Sequence, residues 1–379
     1  MRAVVLVLLA ALAGLAGGEV ENRDLIIRRD RGPTSCWIVS ETRDEVRWRL
    51  TPDQGAENRT PRREIQRIEY AFQRQPGAWQ QGMNARARGR YAESAELFEQ
   101  LAQGQREAER VVGAFEAGVS WELEGKHELA AQSFDKVVKG APNHPLALDA
   151  RYRRGIALAL MKNAEAEQIA QALEQDSRGV LGQQAQVRAA AVRAVIALQR
   201  NDQSELRRQL GRAAFNAELE RAAWLHFNQL IADALRRAEQ AKEAAALYER
   251  MLPQLADDPA SEARVRLGLG LCRAADDRQG AILVLLPLDA LPAGSPEQKC
   301  EARYHIGRLL WEEHQALSRD SANDERRSAL AASALATARL LLQAAADAPV
   351  SIAAKTQAAD LLKKLPAEPA AASPAGGGK

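Results

Sequence analysis

The sequence from Gly89 to Phe98, GRYAESAELF, is followed 36 residues later by a near copy, GKHELAAQSF, from Gly125 to Phe134. A chain that repeats itself at such an interval folds as an array of like units, each stacked on its neighbours, rather than around one central core. Each decamer reads as the end of one helix and the start of the next. The glycine stops the first helix. A small residue, Ser94 or Ala130, lets two helices touch, and Phe98 or Phe134 fills the space between them. The spacing continues along the chain. Small residues recur at Gly82, Gly118, Gly155, Ala191, Ala232, Gly268 and Gly307, separated by 36, 37, 36, 41, 36 and 39 residues. In a helix hairpin such a position faces the partner helix. Ala244 and Tyr248 repeat the second-helix pair, and Pro142 and Pro253 stand where a proline limits a helix.

Composition agrees with such an array. Aromatic residues make up only 4% of the chain, and the repeat region is built on Ala, Leu, Arg, Glu and Gln, which are strong helix formers. Small side chains with few rings suit closely packed helix pairs. The formal net charge is +2 with 27% charged residues, so the two signs are mixed. A nucleic-acid binder would carry a basic excess on one face, and none is expected here.

These motifs resemble the tetratricopeptide repeat (TPR). The small residue, Gly-x-Tyr turn, second small residue and aromatic of that family are matched by Gly82, Gly89-x-Tyr91, Ser94 and Phe98, then by Gly118, Gly125-x-His127, Ala130 and Phe134, closed by Pro142. The units are longer than the usual repeat. Those at about 180–216 lack both the Gly-x-Tyr turn and the aromatic. The resemblance covers roughly residues 75–350 and implies an α-solenoid of TPR-like helix hairpins, about seven in number. In the family, first helices line a concave groove. The register implies that this groove displays Trp79, Met83 and Arg86, then Phe115, Val119 and Glu122, then Tyr152 and Ile156. Later units imply Asp233 and Arg236, then Tyr304, Arg308 and Trp311. Aromatics beside Arg are what a protein-binding groove offers a peptide or helix. Packing between adjacent repeats is the competing use of the same residues.

The first 18 residues read as an export signal. Arg2 precedes a mostly apolar run from Val4 to Ala16, and Ala16-Gly17-Gly18 offers small residues for cleavage before Glu19. The run is shorter than the roughly 20 residues of a membrane span. The expectation is a periplasmic or secreted protein, with an inner-membrane anchor through an uncleaved signal as the alternative.

Residues 24–70 differ in kind from the repeats. Leu25-Ile26-Ile27, the run Thr34–Glu41, the strictly alternating Glu45-Val46-Arg47-Trp48-Arg49-Leu50, and Ile65-x-x-Ile68-x-Tyr70 read as strands, separated by turns at Asp30-Arg31-Gly32 and Thr42-Arg43-Asp44. A polar loop is expected at Thr51–Arg59. Four or five short strands in so few residues bury enough only by curling. The segment resembles the small SH3-like or Sm-like β-barrel found ahead of helical repeats in exported bacterial proteins. The matching pieces are Asp24 with its strand, the Gly32 turn, Ile38-Val39-Ser40-Glu41-Thr42, Val46, and Ile65 to Tyr70. Pro33-Thr34-Ser35 departs from that pattern.

The expected fold is therefore mostly α, an α-solenoid preceded by a small all-β barrel. Residues 1–18 are the signal, 19–72 the barrel, 75–365 the solenoid with Ile352–Lys364 as its capping helix, and 366–379 a Pro-, Ala-, Ser- and Gly-rich tail expected to be disordered.

Little in the sequence points to chemistry. There is no phosphate-binding loop, GxSxG, HExxH or calcium loop. Cys36, Cys272 and Cys300 include no CxxC pair; three buried thiols, or pairing of Cys272 with Cys300, are both open. A metal site from His127, which replaces the turn aromatic of its repeat, and His144, in the Pro142–Pro145 loop, is conceivable but not expected. No catalytic residue, cofactor or metal is expected. The functional expectation is a non-catalytic adaptor of the bacterial cell envelope that binds a segment of a protein partner in the groove. The competing readings are an accessory subunit whose barrel binds a glycan or other ligand, and a structural protein that self-assembles.

Overall fold

The computed structural model describes residues 22–52, 55–176, 182–216, 220–290, 294–319 and 324–366. The expected signal and nearly all of the tail lie outside these residues. The protein is mostly helical, with a small antiparallel five-stranded sheet at its N-terminal end. The chain divides into two compact units, Met1–Arg86 with Arg90–Phe227, and Asn228–Lys379 with Ala87–Gly89.

The sheet comprises β1 (Asp24–Arg28), β2 (Thr34–Glu41), β3 (Glu45–Arg49), β4 (Asn58–Pro61) and β5 (Ile65–Glu69), in the order β4-β3-β2-β1-β5. The first four follow one another as hairpins. A 3-10 turn at Arg62–Glu64 then returns β5 to the far side of β1. Alternation along β3 works as the sequence suggests: Val46 and Trp48 are buried, while Arg47 and Arg49 lie on the other face. Leu50 departs from it. The strand stops at Arg49, and Leu50 is 58% exposed. β4 also begins inside the segment expected to be loop, where Thr60 is buried among polar neighbours.

Two strands separate β1 from β4, yet Arg28 Nη2 donates to Thr60 Oγ1 at 3.1 Å. With strands about 4.8 Å apart, a flat sheet would hold these residues beyond side-chain reach. The sheet is therefore strongly curled. Trp48 Nε1 donates to the same Thr60 Oγ1 at 2.9 Å, which satisfies the indole inside the curl.

The sheet does not own its core. Ile26, Cys36, Ile38, Val46, Trp48, Ile65 and Tyr70 form one cluster with Ala108 and Val112 of the Glu107–Leu123 helix. Asp24 fixes this junction. Its carboxylate is fully buried and accepts from Ile38 N at 3.0 Å and Ala71 N at 2.9 Å, and it pairs with Arg106.

Helices in the first unit follow as Ala78–Ala87, Tyr91–Leu101, Glu107–Leu123, His127–Gly140, Leu146–Leu160, Glu165–Gln175, Gly182–Gln199 and Gln203–Arg212, then the start of Arg221–Arg237. The glycine contacts match the repeat pattern. A Cβ on Gly118 would lie 2.6 Å from the Phe134 ring, so only glycine lets the two helices come this close. A second regularity is conformational. Gly89 (φ 73°), Gly125 (78°), Lys162 (57°), Asn201 (56°) and Glu239 (62°) all adopt the left-handed region just after a first helix. The turn persists where the sequence has lost its glycine.

The second unit contains Ala241–Met251, Pro259–Arg273, Arg278–Leu285, Pro287–Ala290, Pro296–Arg319, Glu325–Ala346 and Ala353–Leu362. Asp258, Asp277 and Asp324 start three of these helices by accepting from backbone N–H groups. Gly268 presses on the Tyr248 ring as Gly118 does on Phe134. The last helix buries Ala354 and Ala358 against Leu342, Ala345 and Cys300, close to the span expected for a cap. Cys36, Cys272 and Cys300 are all buried free thiols. Burial pushes the Cys36 thiol up to about 12.

Candidate functional site

First-helix residues of the first unit are engaged with one another. Trp79 is half-buried and meets Phe72 and Phe98 edge-on, with ring centroids 5.8 and 5.5 Å away. Arg86 donates to Glu116 Oε2 at 2.6 Å and to Ser120 Oγ at 2.9 Å, and its guanidinium lies 4.9 Å from the centre of the Phe98 ring. Phe115 packs on Phe134 at 5.7 Å beneath Arg153. Val119 is half-buried, Ile156 is buried, and Met83 remains 40% exposed.

Glu122 occupies the centre of this face. Arg153 Nη1 reaches its carboxylate at 2.5 Å, and His226 Nε2 lies 3.5 Å away. Burial alone would raise the Glu122 carboxyl; His226 and Arg153 hold it below the usual carboxylate range instead. Tyr152 is fully buried. Its hydroxyl is 3.1 Å from His226 Nδ1, and its ring sits 5.7 Å from Phe215. Burial drives its phenol well above the ordinary range. Next along, Arg188 is shared by Asp149, at 2.6 Å, and Glu220.

The result is a seam of alternating charges that ties successive first helices together. Its donors and acceptors are spent on one another. Tyr152 offers no surface to a partner, which corrects its expected role as an anchor: the ring fills space between helices, and its hydroxyl belongs to the seam.

The second unit differs. Asp233 Oδ1 accepts from Tyr248 OH at 2.5 Å, and Arg264 lies 3.7 Å from the same carboxylate. Arg236 stands near enough to Glu301 and His305 to perturb both. Burial raises the Glu301 carboxyl and Arg236 partly offsets it; burial, then Arg308 and Arg236, lowers His305 to about 4. Tyr304 meets His305 at 4.9 Å and borders the core around Cys300. Arg308 is 38% exposed and 3.9 Å from Glu312. Trp311 is half-buried and stacks on His314 at 5.1 Å.

Three nitrogens here, Arg236 Nε, His305 Nδ1 and Arg308 Nε, are buried without a hydrogen-bond partner. The arrangement sets Arg236 and Arg308 beside a neutral His305, with the carboxyl groups of Glu301 and Glu312 and aromatic rings as neighbours. It suits an anionic group brought by a ligand.

The sequence named Asp233, Arg236, Tyr304, Arg308 and Trp311; the structure brings Arg236 and Arg308 to His305 and sets Asp233 and Arg236 at Tyr248, while Tyr304 packs on the core around Cys300. It missed Glu301 and His305. Glu301 three residues before Tyr304, and His305 three before Arg308 on the same helix, were the available signal.

Two open clefts, of about 400 and 340 Å³, lie elsewhere. One is lined by paired charges such as Arg193 and Glu167, the other by Arg154, Asp135 and Glu165. Among the described residues no group of three or more His, Cys, Asp or Glu could hold a metal ion. His144 is buried instead between Leu146 N, which donates to its Nδ1 at 3.1 Å, and Glu41, 3.9 Å from its Nε2.

The chain matches no protein-family model and no curated protein.

Proposed function

We propose that the protein is a non-catalytic adaptor of the bacterial cell envelope, built on TPR-like hairpins, that holds an acidic segment of a partner protein against first-helix faces. The envelope location follows from Arg2, the Val4–Ala16 run and the small residues before Glu19. The TPR reading draws support from the left-handed residue that recurs after five first helices and from the close contacts at Gly118 and Gly268. A strongly curled five-stranded sheet is compatible with a small barrel.

The binding reading is carried by one observation. Arg236 and Arg308, from helices far apart in sequence, share a half-buried neighbourhood with His305, and the Nε of each is buried without a hydrogen-bond partner. A carboxylate on the partner would be drawn to the exposed part of the two guanidinium groups, and Trp311 would supply apolar area beside it.

The test is a crosslinking pull-down of the mature protein from its own envelope, followed by direct binding to the captured partner. Arg236→Ala and Arg308→Ala should each weaken binding at least about tenfold, roughly 1.4 kcal/mol. Binding should also fall with added salt. Equal capture by wild type, both variants and a Glu243→Ala control would place the binding surface elsewhere.

A further inference from the structure

The repeat interval lengthens abruptly at one place in the first unit. Small first-helix residues stand 36 or 37 apart as far as Ala191, but Ala191 and Ala232 are 41 apart. The connection between the Gln203–Arg212 and Arg221–Arg237 helices is correspondingly long, at eight residues against five at 102–106 and at 141–145. Connections normally run over the outside of a fold. This one turns in. Ala213 and Phe215 are buried while Ala214 and Asn216 are exposed, the alternation of a chain laid along a surface.

The surface is the first-helix face around Tyr152. The Phe215 ring lies 5.7 Å from Tyr152 and 5.6 Å from Phe227, and the Arg188 guanidinium lies 5.7 Å from its centre. Glu220, five residues on, pairs with the same Arg188. An aromatic anchor beside a charge-assisted pair is how a protein segment is held by a binding face.

The two side chains sit on this face without supporting it. The backbone bonds of Ala213, Phe215 and Glu220 are local, to Gln209, Ala213 and Asn216. The groups that receive them have other partners. Asp149 takes Arg188 Nε at 2.9 Å and Nη2 at 2.6 Å. Tyr152 keeps His226, and Glu122 keeps Arg153. Departure of Phe215 and Glu220 therefore leaves no charge on the face unpaired, and a buried unpaired charge is the largest cost such a move could carry.

We propose that the face formed by Tyr152, Arg188 and Phe227 is a protein-binding site that this chain fills with its own Phe215 and Glu220, and that the partner brings an aromatic residue followed some five residues later by a carboxylate. The partner's ring takes the place of Phe215 and its acid the place of Glu220 on Arg188. The internal occupant lowers the apparent affinity in proportion to the time it spends on the face. The site belongs to the first unit and does not rest on the reading of Arg236 and Arg308.

The probe is the chain's own segment supplied in trans: the acetylated, amidated peptide of residues 212–221, RAAFNAELER, titrated into the full chain by calorimetry. Phe215→Ala, which lacks the internal ring, should bind the peptide at least about tenfold more tightly than wild type. Glu220→Gln keeps the ring and loses the ion pair, so it should bind at least about threefold more tightly than wild type. The same peptide with alanine for its phenylalanine should bind none of them. Peptide should also raise the urea midpoint of Phe215→Ala more than that of wild type. Equal affinity of wild type and Phe215→Ala, no binding to either variant, or equal binding of the alanine peptide would each overturn the proposal. So would loss of cooperative folding in both variants, because Phe215 and Glu220 would then be part of the core. If Phe215→Ala alone fails to fold, Glu220→Gln decides, and affinity no better than wild type overturns it.

Discussion

Asp24, at the start of β1, holds Arg106, the residue immediately before the Glu107–Leu123 helix, so one buried ion pair joins the sheet to the helical body 82 residues on. The same carboxylate takes the backbone N–H groups of Ile38 and Ala71. Removing it strands a part-buried guanidinium and two buried donors together.

Asp24→Ala should therefore destabilise the first unit by about 3–5 kcal/mol, the range for breaking a buried pair. Trp48→Ala should cost a similar amount, about 3–5 kcal/mol. The sequence alone suggests that such a change unfolds the sheet and spares the helices. The shared cluster with Ala108 and Val112 predicts the opposite. Helical circular dichroism and Trp fluorescence should shift together in denaturant. Helices that outlast the sheet would show that the two have separate cores.

Glu239 occupies a left-handed conformation (φ 62°) that glycine holds at Gly125. A side chain there costs about 1–2 kcal/mol per residue. Glu239→Gly should recover part of it, about 0.5–1 kcal/mol after the added freedom of the unfolded chain. Thermal melts of the variant and of an Ala238→Gly control separate this from a general glycine effect. A lower midpoint for Glu239→Gly would mean the turn is held by something other than backbone geometry.

These turns show what was legible in the sequence and what was not. Where glycine marks the turn, at Gly89 and Gly125, the hairpin can be read directly. At Asn201 the residue type also tolerates the left-handed region and was a readable signal, whereas at Lys162 no residue type announces the same geometry. Strands β2 and β3 were legible because one face is buried. The end of β3 was not, because Leu50 continues the alternation while its backbone has left the sheet. At the candidate site, register found Arg236 and Arg308. It could not say that Tyr152 would be sealed inside, since a ring facing a groove and a ring filling a gap have the same spacing.

Gly118 tests the repeat packing itself. A Cβ there would meet Phe134 at 2.6 Å. Gly118→Leu should cost about 1–3 kcal/mol or more by overpacking. Phe134→Ala in the same chain should return part of that loss, because the two side chains compete for one space. Additive effects of the two changes, measured by urea denaturation, would separate the positions.

His144 should make stability pH-dependent. Burial, then the nearby Arg62, lowers its pKa from 6.5 to about 4. A group kept neutral in the fold adds stability that is fully present above about pH 6.5 and is lost as pH falls towards 4. The span corresponds to a loss of up to about 3 kcal/mol. Glu41 works the other way: burial raises its carboxyl, despite Tyr70 and Arg62, so its penalty eases on acidification. His144→Gln should flatten the fall in urea midpoint between roughly pH 7 and 4.5. An unchanged slope would assign the acid sensitivity to other groups.

Tyr152 and Trp311 separate packing from binding. Tyr152 has no exposed surface, and its hydroxyl meets His226 beside Glu122. Tyr152→Ala should cost about 3–5 kcal/mol, and any lost capture would follow from lost structure. Tyr152→Phe leaves His226 Nδ1 without that contact but keeps the ring, so it should cost only about 1–2 kcal/mol. Trp311 is half-buried on its helix, next to Arg308 in register. Trp311→Ala should leave the denaturation midpoint within about 1 kcal/mol while weakening partner binding by about 2 kcal/mol, near thirtyfold. The pair of measurements decides the matter. Stability lost at Trp311 with binding retained would make it a packing residue like Tyr152, and the partner would then have to be sought on another face.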